Sequence, residues 1–329
     1  MAISNNFESK PTFLRNEINT HLAQTISKEF PFTLYEPMRY MMAAGGKRLR
    51  PIFLLLACEA AGGKWEEGLD AAVAIELLHN FTLIHDDVMD QDDTRRGRKT
   101  VHKKWDVNVA ILAGDGLIAL AYKSLLRTHC NDLSRLGSLF SNTLLEVCEG
   151  QAFDKEFESE VDVSLDDYFK MIKKKTASLF AMCAELGAII GGGTEKTISE
   201  LRTFGLNLGV GFQIQDDLLD VMANEELTGK TWGSDIRQKK KTMLLIHARS
   251  EASHSDREVI EEILAKPEVD RQDVLLMKDV FQKAGTLSLS SQMLDKHFNL
   301  ARKSLNEIEK SEGRLALEYF LESVINRTH

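Results

Sequence analysis

The chain has 329 residues, with 41 Lys and Arg against 50 Asp and Glu, a net charge of −9 and 43% hydrophobic residues. That balance argues against a general nucleic-acid binder, although local basic clusters can still hold phosphates. Met1-Ala2-Ile3-Ser4-Asn5-Asn6 lacks a basic-then-apolar leader, and no uninterrupted apolar run reaches membrane-spanning length, so no transmembrane segment and a soluble cytoplasmic protein are expected.

The prolines are Pro11, Pro31, Pro37, Pro51 and Pro267, and none falls between Ile52 and Lys266. With Ala, Leu, Glu and Lys plentiful over that span, the chain reads as one all-α domain covering 1–329. Cys58, Cys130, Cys148 and Cys183 are scattered without a CxxC, which predicts reduced, buried thiols.

Phe13, Leu14, Ile18, Leu22 and Ile26 recur at helical spacing, predicting an amphipathic helix from about Pro11 to Glu29. After Pro31 and Pro37 comes Gly45-Gly46-Lys47-Arg48-Leu49-Arg50-Pro51, a glycine pair and three cations leading into an apolar helix from Ile52. Lys47 and Arg50 are three apart and could close on one phosphate. The alternative is a basic loop on an acidic protein, since no Walker lysine-serine pattern is present.

Gly62-Gly63 ends that helix, and the run Ala71 to Asp90 follows. It closes on His85-Asp86-Asp87-Val88-Met89-Asp90 and continues through Arg95-Arg96-Gly97. Asp86 and Asp90 project from one helix face, with Asp87 about 100° round the turn. Like charges so close oppose helix formation, so the pattern makes most sense around a cation; hard oxygen donors without sulfur favour Mg²⁺ over zinc. A solvated acidic helix end is the bland alternative for one such cluster. His79 lies two turns before Asp86 on nearly the same face, where it either lines the same cavity or is a satisfied core histidine.

Gly97 is expected to close the acidic helix. Further helices are predicted over Val109 to Leu126 and Leu136 to Phe157, the latter carrying Gln151 and Asp154. Ser164 with Asp167, Thr197 with Glu200 and Ser255 with Glu258 have capping-box spacing and mark three helix starts. Lys173-Lys174-Lys175-Thr176 lies on the first of these, where three lysines usually form a solvated face. Then Gln213, Asp216, Asp217 and Asp220 repeat the acidic pattern on one helical stripe, behind Gly205, Gly209 and Gly211, which would allow close helix approach. Two matching clusters could face each other across a cavity and hold metal ions and a phosphate-bearing ligand. Cations follow again at Lys230, Arg237, Lys239, Lys240 and Lys241; from Met243 onward the sequence reads as amphipathic helix without chemistry.

Taken together, Gly45-Gly46-Lys47-Arg48-Leu49-Arg50-Pro51, Asp86-Asp87-Val88-Met89-Asp90 with Arg95-Arg96-Gly97, Lys175-Thr176, Phe212-Gln213 with Asp216-Asp217-Leu218-Leu219-Asp220, and Gly229-Lys230 resemble the successive motifs of trans-isoprenyl diphosphate synthases. Five motifs in order from about residue 40 to 242 make the resemblance specific. It implies an antiparallel helical bundle around a deep central cavity, usually a homodimer, and Mg²⁺ bound by Asp86, Asp87, Asp90, Asp216, Asp217 and Asp220. It implies that Arg95, Lys175, Lys230 and Lys240 help bind an allylic diphosphate (dimethylallyl, geranyl or farnesyl), and that Lys47, Arg50, His79 and Arg96 bind isopentenyl diphosphate. Thr176 and Gln213 would aim oxygen dipoles at the developing allylic cation. Phe81 with Thr82 resembles the chain-length pair of short-chain geranylgeranyl synthases, with farnesyl or longer products as alternatives. Lys239 stands where the family usually has Gly, and Met243-Leu244 replaces a common Leu-Pro, so either Lys239 or Lys240 could reach the diphosphate.

A terpene cyclase would have no second diphosphate to hold, which the Lys47, Arg50 and Arg96 group contradicts. An HD-type phosphohydrolase would need further metal-binding His and Asp beyond His85-Asp86. A noncatalytic helical subunit would be expected to have lost aspartates, and all six are present.

Overall fold

A computed structural model describes residues 2–222 and 232–327, with side chains from residue 9 onward. Lys230 therefore lies outside the described residues. The N-terminal half runs α1 (Ala2–Thr25), α2 (Phe32–Ala43), α3 (Leu49–Ala60), α4 (Leu69–Met89), a short hairpin of β1 (Thr94–Arg95) and β2 (Arg98–Lys99), α5 (Val101–Lys104) and α6 (Val107–Leu125). Then come α7 (Leu133–Ser159), α8 (Leu165–Ile172), a π-turn over Lys173–Ala177, α9 (Ser178–Ile190) and α10 (Glu195–Met222). Further helices cover Ser234–Arg237, Met243–Glu251, His254–Ala265, Arg271–Lys283, Thr286–Asn306 and Glu312–Ile325. The all-α expectation holds among the described residues, the hairpin apart.

Local chemistry explains most boundaries. Ser164 caps α8 reciprocally: its Oγ accepts from Asp167 N at 3.1 Å while its own N–H donates to Asp167 Oδ2 at 3.2 Å. The other two expected starts are displaced. Thr194 Oγ1 accepts from Thr197 N, and Ser253 Oγ from Asp256 N, each at 3.2 Å, so these helices begin at Glu195 and His254. In both cases a hydroxyl residue further upstream satisfies the first orphan amides before Thr197 or Ser255 can. The first helix begins well before Pro11 and stops at Thr25. Gly97 does not close the acidic helix, which ends at Met89. It sits instead in a two-residue turn with Arg96, φ 71° and 52°, the left-handed pair that a type I′ hairpin demands.

The chain packs as two compact units, each assembled from separated segments. The first comprises Met1–Ser141, Met182–Arg202 and Ile308–Phe320. At its centre lies α3, whose Ile52, Phe53, Leu54, Leu55 and Leu56 are buried, each contributing about 1.5–3 kcal/mol of apolar transfer. Gly187 and Gly191 of α9 lie so close to α3 that a Cβ at either would overlap the carbonyl of Leu54 or Cys58. α4 is buried from Ala71 to Leu78 and packs along α6, whose Gly114 lies against His85. Among the described residues α6 is the one helix long and apolar enough to cross a bilayer.

The second unit comprises Asn142–Ala181, Thr203–Glu307 and Leu321–His329. Its core gathers Tyr168 and Ile172 of α8, Val210 and Ile214 of α10, Trp232, and the apolar faces of the later helices, including Leu244, Ile260 and Phe281. As the glycine spacing predicts, Gly205 approaches the backbone at Phe180, and Gly209 that at Ala177.

Candidate active site

In the first unit the turn before α3 is built on a buried cation. Arg48 takes a left-handed backbone (φ 54°), and its Nη1 donates to Glu76 Oε1 at 2.5 Å while its Nε donates to Asn19 Oδ1 at 3.0 Å. Asn80 Nδ2 donates to the same Glu76 oxygen at 2.9 Å. A buried pair of this kind is costly to break from one side, so it pins the turn bearing Lys47 and Arg50. Lys47 is exposed on that turn. Arg50 Nη1 lies 3.4 Å from His79 Nε2. Burial holds the His79 pKa well below the usual range, reinforced by Arg50, Arg96, Arg95 and Arg48, so the ring is neutral and accepts from Arg50. Arg96 donates to Gly45 O, with its guanidinium against Gly46. Arg50, His79 and Arg96 thus lie together, at a point of concentrated positive potential suited to an anion.

The first aspartate motif occupies the last turn of α4, the negative end of the helix dipole, where carboxylates cost free energy unless cations compensate. Asp86 and Asp90 are partly exposed, whereas Asp87 is buried. Arg95 reaches back from the hairpin and donates to Asp87 Oδ1. Burial nonetheless raises the Asp87 pKa to about 6, with Arg95 opposing the shift. Asp87 Oδ2 is buried and has no hydrogen-bond partner among the described residues. Two turns back, the Phe81 ring packs edge-on against His85, centroids 4.6 Å apart, and His85 fills the space over Gly114 of α6. Thr82 Oγ1 donates within its own helix to His79 O at 2.8 Å.

In the second unit the π-turn at Lys173–Ala177 widens the helix where Gly150 of α7 presses on the backbone of Lys175. Lys175 Nζ is paired with Asp154 Oδ2 at 2.6 Å. Thr176 Oγ1 donates to Gln213 Oε1 at 2.8 Å, and Gln213 Nε2 donates to Asp217 Oδ1 at 2.9 Å. The other oxygen of Asp217 accepts from Tyr168 Oη at 2.6 Å. Burial pushes the Asp217 pKa well up, the Asp235 charge adds to that, and the two donors oppose it. Asp216 pairs with Arg327 at 2.7 Å, and Arg327 also donates to Phe212 O and Gln215 Oε1 while lying over the Phe212 ring. Asp220 accepts from the backbone amides of Ser234 at 3.1 Å and Asp235 at 2.9 Å. Lys240 Nζ is 3.9 Å from Asp235, whereas Lys239, with φ 56°, turns its amine to Lys266 O.

Sequence reasoning missed Glu76, Tyr168, Asp235 and Arg327. Asp235 had a signal, a carboxylate shortly after the second motif. Tyr168 reads as an ordinary core aromatic, and Arg327 as chain-end charge.

All the candidate metal ligands are carboxylates, the hard donors that suit Mg²⁺. The partnerless oxygen of buried Asp87 fits such a cation. Among the described residues no three His, Cys, Asp or Glu converge as a closed cage.

The polyprenyl synthetase family model matches residues 31–282. The chain belongs to that family. It is a prenyltransferase with the all-α fold of the polyprenyl synthases. It is 38% identical over 309 residues to a short chain isoprenyl diphosphate synthase of Methanothermobacter thermautotrophicus, covering 94% of each chain. It is 38% identical over 318 residues to a geranylgeranyl diphosphate synthase of Saccharolobus solfataricus, covering 95% of each. The crystal structure of a geranylgeranyl pyrophosphate synthetase from Pyrococcus horikoshii Ot3 superposes with a TM-score of 0.92 at 37% identity, covering 98% of this chain and 99% of that one.

Proposed function

We propose that this synthase condenses isopentenyl diphosphate with an allylic diphosphate in a Mg²⁺-dependent reaction, with geranylgeranyl diphosphate as product. What carries this reading is a cationic group, Arg50 with His79 and Arg96, distinct from the Arg95 that serves the aspartates, so one unit has provision for two anions. A terpene cyclase needs only one. Asp86, Asp90, Asp216 and Asp220 would take Mg²⁺ directly or through water, the partnerless oxygen of Asp87 would join them, and Asp217 would support them from a buried position. Bound Mg²⁺ neutralises the diphosphate leaving group.

Arg95, Lys175, Lys240 and, outside the described residues, Lys230 would bind the allylic diphosphate, so that the bond between its first carbon and oxygen would break with the negative charge already matched. Lys47, Arg50, His79 and Arg96 hold isopentenyl diphosphate. Thr176 and Gln213 offer oxygen to the allylic cation. The double bond of isopentenyl diphosphate then attacks that carbon, and a proton leaves to the released diphosphate. No protein nucleophile takes part.

The length of the product is set by Phe81, braced by His85, with Thr82 beside it. Phe81→Ala would open room for further isoprene units, so products should lengthen; a farnesyl or longer polyprenyl product from the unaltered enzyme would displace the geranylgeranyl assignment. The deciding experiment incubates purified protein with Mg²⁺, isopentenyl diphosphate and each starter, then sizes the dephosphorylated products. Absence of any condensation product would sink the reading.

The whole chain works as one catalytic domain, which the match across 94% of a relative's length supports. It works as a homodimer, for which the exposed Val107, Ile111 and Leu112 on the outer face of α6 supply an apolar surface. Its site is the cytoplasm, in keeping with four free cysteines, two of them buried; burial raises the Cys58 thiol to about 12.

A further inference from the structure

We propose that Tyr168 is a positioning residue that, through Asp217 and Gln213, fixes the Thr176 hydroxyl so that it presents only lone pairs to the allylic cation. The inference rests on the reading of Thr176 and Gln213 given above and adds a residue and a direction to it.

Four side chains form one chain of hydrogen bonds within the second unit. Tyr168 Oη meets Asp217 Oδ2 at 2.6 Å, Gln213 Nε2 meets Asp217 Oδ1 at 2.9 Å, and Thr176 Oγ1 meets Gln213 Oε1 at 2.8 Å. Asp217 is 5% exposed and Tyr168 1%, so neither oxygen of the carboxylate can trade these donors cheaply for water. Asp217 accepts on both oxygens, from the Tyr168 phenol on one and from Gln213 Nε2 on the other, and a carboxamide has one donating and one accepting end. Facing Asp217, Gln213 must therefore turn its NH₂ inward and its carbonyl toward Thr176. That carbonyl can only accept, so the Thr176 hydrogen is committed to it.

A threonine inside a helix normally gives its hydrogen to a carbonyl one turn back. At the π-turn the partner is another helix instead, and the direction of the bond becomes a property of the tertiary structure. A hydroxyl free to rotate would spend part of its time pointing a proton at a forming cation. Held as a donor to Gln213, it offers the cation oxygen alone. Tyr168 secures the far end: its phenol donates to Asp217 and leaves one carboxylate oxygen for Gln213.

The test is a double-mutant cycle on the full-length enzyme with Mg²⁺ and both diphosphates. Tyr168→Phe is expected to lower kcat about tenfold, the loss typical of one hydrogen bond to a charged group, with both KM values within about twofold of the original. Thr176→Val should lower kcat at least as far, and the double variant should be no slower than Thr176→Val alone within about twofold. Multiplying losses in the double variant would overturn the relay. A Tyr168→Phe enzyme with unchanged kcat, beside a slow Thr176→Val, would remove Tyr168 alone; a Thr176→Val enzyme with unchanged kcat would remove the parent reading of Thr176. Melting curves of each variant separate folding from chemistry. Should Tyr168→Phe fold poorly, Asp217→Asn reads the same relay: its amide can turn Gln213 round, so kcat should fall at least tenfold while the Mg²⁺ concentration for half activation stays within about twofold. A large rise in that concentration would assign Asp217 to the metal instead.

Discussion

The two aspartate motifs share one sequence pattern and are held in opposite ways. In the first, buried Asp87 is balanced by the guanidinium of Arg95 and keeps one oxygen without a partner among the described residues. In the second, buried Asp217 is met on both oxygens by neutral donors, Asp220 accepts two backbone amides, and Asp216 carries Arg327. Both lie in the last turns of long helices, so each starts with the same unfavourable dipole. The difference lies at the buried carboxylate: a counter-charge meets it in the first, and neutral hydrogen-bond donors meet it in the second. A repeated motif therefore predicts a repeated composition, and the partners decide what each copy does.

Removing a carboxylate from either side tests the contrast most severely. Asp86→Ala or Asp216→Ala should lower turnover by at least about 10²–10³-fold, the scale of losing a transition-state electrostatic contact, while melting curves stay cooperative. Near-normal turnover at saturating Mg²⁺ would show that the motif concerned binds no essential metal. Next in size, Arg50→Ala should raise the KM for isopentenyl diphosphate about tenfold and move the allylic KM far less. The reverse pattern would mean that the two anion sites are assigned the wrong way round.

Arg327 sharpens the contrast from the other side, because it occupies Asp216 as a cation would. Arg327→Gln should tighten binding of Mg²⁺ to the protein alone by about threefold in calorimetry, in line with losing one partly exposed competing charge. Weaker binding in the variant would make Arg327 a brace for the motif and not a competitor.

The smallest effect concerns stability. His79 is neutral in the fold and would titrate near 6.5 once unfolded, so the unfolded chain takes up a proton that the folded one refuses. Its contribution is present above that value and is lost as pH falls below it, at up to about 1.4 kcal/mol per pH unit. Between pH 7.5 and 5.5 the native protein should lose about that much more stability than His79→Gln; equal losses would mean that His79 is already charged in the fold.

The sequence made the helical class legible because proline is missing from the interior and apolar residues recur at helical spacing. It pointed to a candidate site where side chains speak through local spacing, as in the two carboxylate triplets, whereas the Lys175-Thr176 pair read as a solvated face until the family resemblance singled it out. Contacts set by tertiary structure were not legible. Arg48 has the same local appearance as Lys47 and Arg50, yet it is buried on Glu76, 28 positions away. Arg327 reaches Asp216 from the far end of the chain. The displaced helix starts at Thr197 and Ser255 show a related limit, since two hydroxyl residues close together both satisfy the capping pattern and only one is used.

Arg95 and Arg96 are adjacent in sequence yet serve different acceptors, Asp87 and the Gly45 carbonyl. Strand alternation followed by an I′ turn makes this possible, since it sends neighbouring side chains in different directions. The hairpin thus sorts two identical side chains by parity. Exchange of either arginine for lysine preserves that parity, whereas one residue inserted between Gln91 and Thr94 reverses it and misaddresses both cations at once. This short segment should therefore tolerate changes of side chain better than any change of length.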